Sequence, residues 1–167
     1  ETAMIYADGA GATIIEKSSE QGGILSHKTV TYTSEGEADF IFYGTANNKV
    51  GDSKYIKMQG RKVYEFALTN VPAAMKDCLD MANTDISEVK KILIHQANAK
   101  MDDAIVKRLY KLFNSDSPEK VMPLTVDRFG NSSVATVPTM YDLIVRNKLG
   151  VHKIEKGDNC LLYTSDA

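Results

Sequence analysis

Apolar residues along this chain change their spacing several times, and each change marks a different element. At the centre, Ile92-Leu93-Ile94 is an unbroken apolar run with two β-branched residues, which predicts a short buried strand. The run stops on His95-Gln96-Ala97-Asn98. A helical pattern follows from Asn98 to Phe113, with Met101, Ile105, Leu109 and Leu112 as its stripe. Upstream, between Gly60 and Ala82, Val63, Phe66, Ala67, Val71, Met75 and Leu79 recur at helical intervals. Pro72 is expected to kink or break that helix near Asn70, because proline has no N–H to donate. Downstream, Ser132 or Ser133 reads as the N-cap of a helix running to about Lys148, with Pro138 near its start and Gly150 as its stop.

Shorter extended runs surround these elements. Met4–Ala7 and Ala12–Ile15 read as two strands around Asp8-Gly9-Ala10-Gly11, and Ile24–Thr33, Phe40–Tyr43 and Cys160–Thr164 read as further strands. Ala46–Lys54 is polar and turn-rich, and Asn114–Pro123 is a loop. The glycines of the first turn invite a phosphate-loop reading, but such a loop must open a helix and here β-branched residues follow. A tight turn between strands is the better reading.

Composition narrows the class. A chain of 167 residues is about one domain, long enough to bury roughly 70% of its unfolded surface. A hydrophobic fraction of 43% and a charged fraction of 25% are those of an ordinary globular protein. A net charge of −2 gives no global reason to expect nucleic acid or an anionic membrane as partner. No apolar run reaches the ~20 residues of a membrane span. Two cysteines, Cys78 and Cys160, are too few for a disulfide framework and read as buried structural thiols, so a reducing cytoplasm is the default. The chain opens on Glu1 and stops soon after a strand-like run, which reads as a piece of a longer protein.

The chemistry-bearing residues gather at two turns. A polar cluster at the carboxyl end of a strand, before a helix, is where open α/β sheets place ligands. His95 stands there, although a lone histidine also reads as a hydrogen-bonded core residue. A second polar turn before a helix, Phe129-Gly130-Asn131-Ser132-Ser133, is placed so that the two could converge on one pocket. Scattered histidines and the lack of ligand spacing argue against a metal site, with His27 and His152 read as surface residues. Neither Ser132 nor Ser133 sits in a Gly-x-Ser-x-Gly elbow, so a serine hydrolase is not indicated. Imidazole and carboxamide both donate neutral hydrogen bonds, and two such donors aimed at one oxygen would stabilise an enolate or oxyanion. Lys107 and Lys111 each fall within about 20° of Lys100 on a separate face of the helix after His95, where a solvated face is the plain reading.

Taken in order, these motifs resemble the C-terminal half of β-ketoacyl-acyl-carrier-protein synthase III, an enzyme family of the thiolase fold. The resemblance rests on His95-Gln96-Ala97-Asn98 after a hydrophobic strand and on Phe129-Gly130-Asn131-Ser132-Ser133 before a helix. Asp8-Gly9-Ala10-Gly11-Ala12 and Lys57-Met58-Gln59-Gly60 complete it, so it covers almost all of residues 1–167. It implies an α/β domain, the C-terminal half of a thiolase-like fold with a mixed sheet and packed helices. It also implies a Cys-His-Asn catalytic set, in which His95 and Asn131 match the histidine and asparagine. The nucleophilic cysteine would belong to an N-terminal half, and neither Cys78 nor Cys160 has a matching context.

By the same resemblance, Gly60, Tyr64 and Asn98 line the pantetheine path, and Lys100 docks an acidic acyl carrier protein, with Lys107 and Lys111 assisting. The implied reaction is decarboxylative Claisen condensation of acyl-CoA with malonyl-acyl carrier protein, without a cofactor, by a cytoplasmic homodimer. The fragment alone is expected to be inactive. The resemblance departs at the end, where the family continues into a glycine-rich loop and a last strand, whereas this chain closes on Asp166-Ala167; its final strand therefore looks truncated. Two other readings stay open. One is a non-catalytic carrier-protein-binding or dimerisation module of the same fold, and the other a condensing enzyme of secondary metabolism.

Overall fold

The computed structural model describes residues 6–20, 22–46 and 51–164. Met4 and Ile5 of the first expected strand, and Ser165 to Ala167 at the end, lie outside the described residues. The fold is α/β. β1 (Ile41–Thr45) and β2 (Lys54–Met58) form an antiparallel pair, followed by α1 (Gly60–Met81) and β3 (Val89–Ile94). Then come α2 (Ala99–Lys111), the single turn α3 (Val126–Phe129), α4 (Thr136–Val145) and β4 (Asn159–Tyr163). β4 returns beside β3 in parallel, so strands of both orientations occur, in two two-stranded sheets among the described residues.

β3 organises the interior. Ile92 and Ile94 pack with α1 and α2 in one apolar cluster, while Leu93 packs with Val137, Met140 and Ile144 of α4 in another. Successive side chains of a strand point to opposite faces, so helices on both sides demand an unbroken apolar run. That is why the run is legible in the sequence.

α1 stays one helix of 22 residues, and Pro72 does not break it as expected. Proline at 72 leaves the Leu68 carbonyl, four residues earlier, without its helical donor. Arg108 of α2 supplies the replacement: its Nη1 donates to Leu68 O at 2.9 Å. The stripe of α2 also differs at its end, where Leu112 is exposed and the inward positions are Ile105, Val106, Leu109 and Tyr110.

Neither serine caps α4. Ser132 and Ser133 enter a short 3₁₀ turn, Ser133–Ala135, and α4 begins at Thr136. Pro138 falls in the first turn, where the backbone N–H has no helical acceptor to lose. The helix ends at Val145 rather than near Lys148. Its stop is Asn147, in the left-handed region at φ 56°, with Lys148 N bonding back to Leu143 O at 2.7 Å.

Two expected strands are absent. Ala12–Ile15 and Ile24–Thr33 take no regular structure, and Ile14, Ile15 and Ile24 are exposed. β-Branched residues suit a pleat, but a strand exists only where another strand supplies its hydrogen bonds. None among the described residues lies beside these two. The converse holds for β2: the polar pattern of Ala46–Lys54 predicts a turn and nothing in the sequence marks Tyr55 and Ile56 as a strand, yet Lys54–Met58 pairs in register with β1.

Candidate active site

His95 follows β3 directly, and its backbone N donates to Tyr163 O at 2.9 Å, extending the ladder with β4 by one bond. The parallel pair thus fixes where the imidazole leaves the sheet. Asn131 is placed by the chain on both sides of it. α3 ends on Gly130, whose φ of 66° and ψ of −164° belong to a region that only glycine enters readily. The Asn131 carbonyl then accepts from Ala7 N at 2.8 Å, and Tyr6 bridges to Asn131 in parallel.

The Gly9 and Gly11 backbones press on the segment after Asn131. A Cβ on Gly9 would lie 2.7 Å from Ser132 Cβ, and one on Gly11 would collide with the Pro138 ring. These glycines serve close approach, rather than the turn between strands expected from sequence.

The two turns converge: His95 Nε2 lies 2.7 Å from Asn131 Oδ1, across 36 residues of sequence. Both side chains are buried. Ser133 N donates to the same Oδ1 at 2.9 Å, with Ser133 at φ 53°. That backbone donor fixes the amide, since Oδ1 must be the acceptor. It follows that Nε2 of His95 carries the proton in this contact. The pair is held in the tautomer that donates from the ring edge.

His95 and Asn131 border one cavity of about 280 Å³, walled mostly by apolar side chains of α1 and α2 such as Val63, Phe66, Met101 and Ile105. Gly60, Tyr64 and Asn98 border the same cavity. Asn98 has a second task, because its Oδ1 accepts from Met101 N at 2.9 Å and caps α2. Tyr6 and Tyr163 also reach the cavity and were not singled out in the sequence, where isolated tyrosines carry no signal.

The lysines lie apart from this wall. Lys100 is exposed two residues after Asn98, Lys107 pairs with Asp103 at 2.7 Å, and Lys111 is exposed in the last turn of α2. A wider polar cleft of about 470 Å³ opens at the start of β3, beside Lys90, Lys120 and Asp158, a strand's length from His95.

Neither cysteine joins the pair. Both are half-buried rather than fully buried. Burial, reinforced by Asp158, pushes the Cys160 thiol up, which disfavours the nucleophilic thiolate. Cys78 lies on α1 with its Sγ 3.2 Å from Ser26 Oγ. His152, expected to be exposed, is half-buried, and burial together with the Lys91 charge lowers its pKa. His27 is exposed as expected. Among the described residues no three histidine, cysteine or carboxylate side chains gather as a metal site would require.

Comparison with known proteins agrees with this architecture. The family described as 3-oxoacyl-[acyl-carrier-protein (ACP)] synthase III C terminal matches residues 79–167. The β-ketoacyl-[acyl-carrier-protein] synthase III of Prochlorococcus marinus is 31% identical over 166 residues, covering 95% of this chain and 46% of that protein. The enzyme of the same name from Wolbachia pipientis wMel is also 31% identical, covering 99% and 48%. The chain therefore spans about half the length of the curated relatives it matches.

Among solved structures, 3-oxoacyl-(acyl carrier protein) synthase III of Pseudomonas aeruginosa aligns with a TM-score of 0.68 at 20% identity, over 89% of this chain and 42% of that one. The Aquifex aeolicus enzyme aligns at 0.64 and 22% identity, over 87% and 41%. These two likenesses establish the fold, which is that of the C-terminal half. With more than half of its residues matched by the family, the chain belongs to the 3-oxoacyl-[acyl-carrier-protein] synthase III C-terminal family.

Proposed function

We propose that residues 1–167 are the C-terminal domain of a condensing enzyme that initiates fatty acid synthesis, joining acyl-CoA to malonyl-acyl carrier protein by decarboxylative Claisen condensation. One observation carries the reading: a buried imidazole N–H and a buried carboxamide, 2.7 Å apart, at the wall of an apolar cavity. The nucleophilic cysteine, and the acyl group it carries as a thioester, lie in the other half of the protein. Malonyl thioester loses CO₂, and the electrons of the broken C–C bond move onto its carbonyl oxygen as the enolate forms. The enolate carbon attacks the acyl thioester, and the cysteine leaves as thiolate.

His95 and Asn131 act on the enolate oxygen. The Ser133 N–H holds Asn131 by its oxygen, which leaves Nδ2 as the amide's donor, and His95 Nε2 already bears its proton. Arrival of the thioester oxygen replaces Asn131 Oδ1 as the partner of that N–H. Donors already in place need little reorganisation when charge develops, and each is worth ~10²–10³ in rate. Gly60, Tyr64 and Asn98 border the path of the pantetheine arm. Exposed Lys100, helped by Lys107 and Lys111, docks the acidic carrier protein. The reaction as written uses no cofactor.

The whole enzyme is proposed to be a cytoplasmic homodimer; no helix among the described residues is long and apolar enough to cross a membrane. The test uses the full-length enzyme and measures its half-reactions separately. Asn131→Ala and His95→Ala are each expected to lower malonyl decarboxylation by ~10²-fold or more, while single-turnover labelling from radioactive acyl-CoA continues. A variant that fails to acylate yet decarboxylates at the wild-type rate would show that its residue was misassigned.

A further inference from the structure

Between His95 and the cavity-lining Ala97 stands a residue that borders neither that cavity nor the polar cleft at the start of β3. Gln96 is fully buried, with 0% of its surface exposed. Its carboxamide reaches across to the segment before α3. Nε2 donates to Pro123 O at 2.7 Å and also approaches Met140 Sδ of α4 at 3.3 Å. Oε1 accepts from Thr125 N at 2.8 Å, from Val126 N at 3.0 Å and from Thr125 Oγ1 at 3.3 Å. The acceptor at Pro123 and the donors at Thr125 and Val126 together fix which end of the amide is which.

Those partners define what the side chain holds. Thr125 precedes α3 and makes no cap of its own, so Gln96 Oε1 serves the orphaned N–H groups at that helix start. A single helical turn has no intrinsic stability, because nucleation fixes several residues for one bond. α3 therefore depends on outside partners, and at its far end Gly130 turns the chain into Asn131. One peptide bond joins Gln96 to His95 on the other side.

We propose that Gln96 is a positioning residue that sets the separation of the two donors, clamping the start of the α3–Gly130–Asn131 unit to the residue next to His95. This rests on the reading of His95 and Asn131 as enolate donors. Gln96 touches no substrate. It acts through the placement of Asn131, which Ala7 N and Tyr6 hold from the opposite side. Only a carboxamide supplies both the donor and the acceptor that this fork requires at neutral pH. Glutamate keeps the acceptor but must be protonated to donate to Pro123 O.

The test compares wild type, Gln96→Glu, Gln96→Leu and Asn131→Ala in the full-length enzyme, with both half-reactions followed from pH 5 to pH 9. Misplacing a catalytic group by about 1 Å costs on the order of 10²-fold. Gln96→Glu is expected to lose decarboxylation on that scale at high pH and to regain it as pH falls. The wild-type profile is subtracted. Acylation of the cysteine is expected to change little. Gln96→Leu, where it folds, is expected to lose decarboxylation at every pH.

A folded Gln96→Glu enzyme whose decarboxylation parallels wild type across pH overturns the inference. So does a variant whose two half-reactions fall together in proportion to its folded fraction. If Asn131→Ala decarboxylates normally, the donor reading fails first. If Asn131→Ala is impaired and the Gln96 variants are not, only the positioning role fails.

Discussion

Asp102 destabilises the packing of α2 to a degree that depends on pH. At 3.6 residues per turn it shares a face with Ile105, Val106 and Leu109, so the helix turns its carboxylate into the core. It is fully buried, and neither carboxyl oxygen has a hydrogen-bond partner among the described residues. Desolvation alone raises its pKa from the ordinary 3.8 to about 7. Below pH 3.8 the folded and unfolded chains both hold the proton, and the group is neutral in the balance. Between 3.8 and about 7 the unfolded chain releases a proton that the folded chain keeps, so stability falls as pH rises. Above 7 the loss is complete, and a difference of that size corresponds to roughly 4 kcal/mol.

Asp102→Asn removes the ionisation while keeping the shape. The amide buries a new donor group, which adds an offset that does not depend on pH. Urea unfolding of both proteins by circular dichroism, at intervals from pH 4 to pH 8, separates the two effects. The stability of the variant relative to wild type is expected to climb by roughly 4 kcal/mol across that range, with most of the change before pH 7. The denaturant slope is expected to stay the same. A difference that stays flat from pH 4 to pH 8 would refute the reasoning, since it would mean the carboxylate ionises normally in the folded chain.

Two further outcomes test other parts of the molecule. Arg108→Met keeps the aliphatic stem but orphans the Leu68 carbonyl, at a cost of about 1–3 kcal/mol in urea unfolding. Combined with Pro72→Ala, which restores a helical N–H to that carbonyl, the loss is expected to shrink, and equal losses in both backgrounds would exclude the link. Lys100→Glu in the full-length enzyme is expected to raise KM for malonyl carrier protein more than KM for acyl-CoA, with the gap narrowing as salt rises. Identical KM ratios for wild type and variant would leave Lys100 a solvated residue.

The sequence read most clearly where a pattern is enforced by burial. β3 sits between α1 and α2 on one face and α4 on the other, and such a strand has no polar alternative at 92, 93 or 94. The stripes of α1 and α2 are legible for the same reason. Reading failed where structure depends on partners elsewhere in the chain. Ile24–Thr33 has strand residues without a neighbour, whereas Lys54–Met58 has an unremarkable composition and a neighbour in register. Pro72 belongs with these cases, because whether a proline breaks a helix depends on who meets the freed carbonyl.

The site was legible for a related reason and incomplete for another. His95 and Asn131 stand at turns between elements, where a polar residue is conspicuous, and the motif order tied the two turns together. Gln96, Asp102 and Arg108 lie beside the same elements and do as much to shape them, yet hydrophobic periodicity cannot find them. A pattern of apolar and polar types assigns polar residues to the surface. What a polar side chain does is set by its partners, which lie 27 to 44 residues away for the buried Gln96 side chain and 40 for the exposed Arg108. Gln96 has every partner it needs and stiffens the join between two turns. Asp102 has none among the described residues and leaves its helix sensitive to pH. The same burial has opposite consequences, and the partners of each side chain distinguish them.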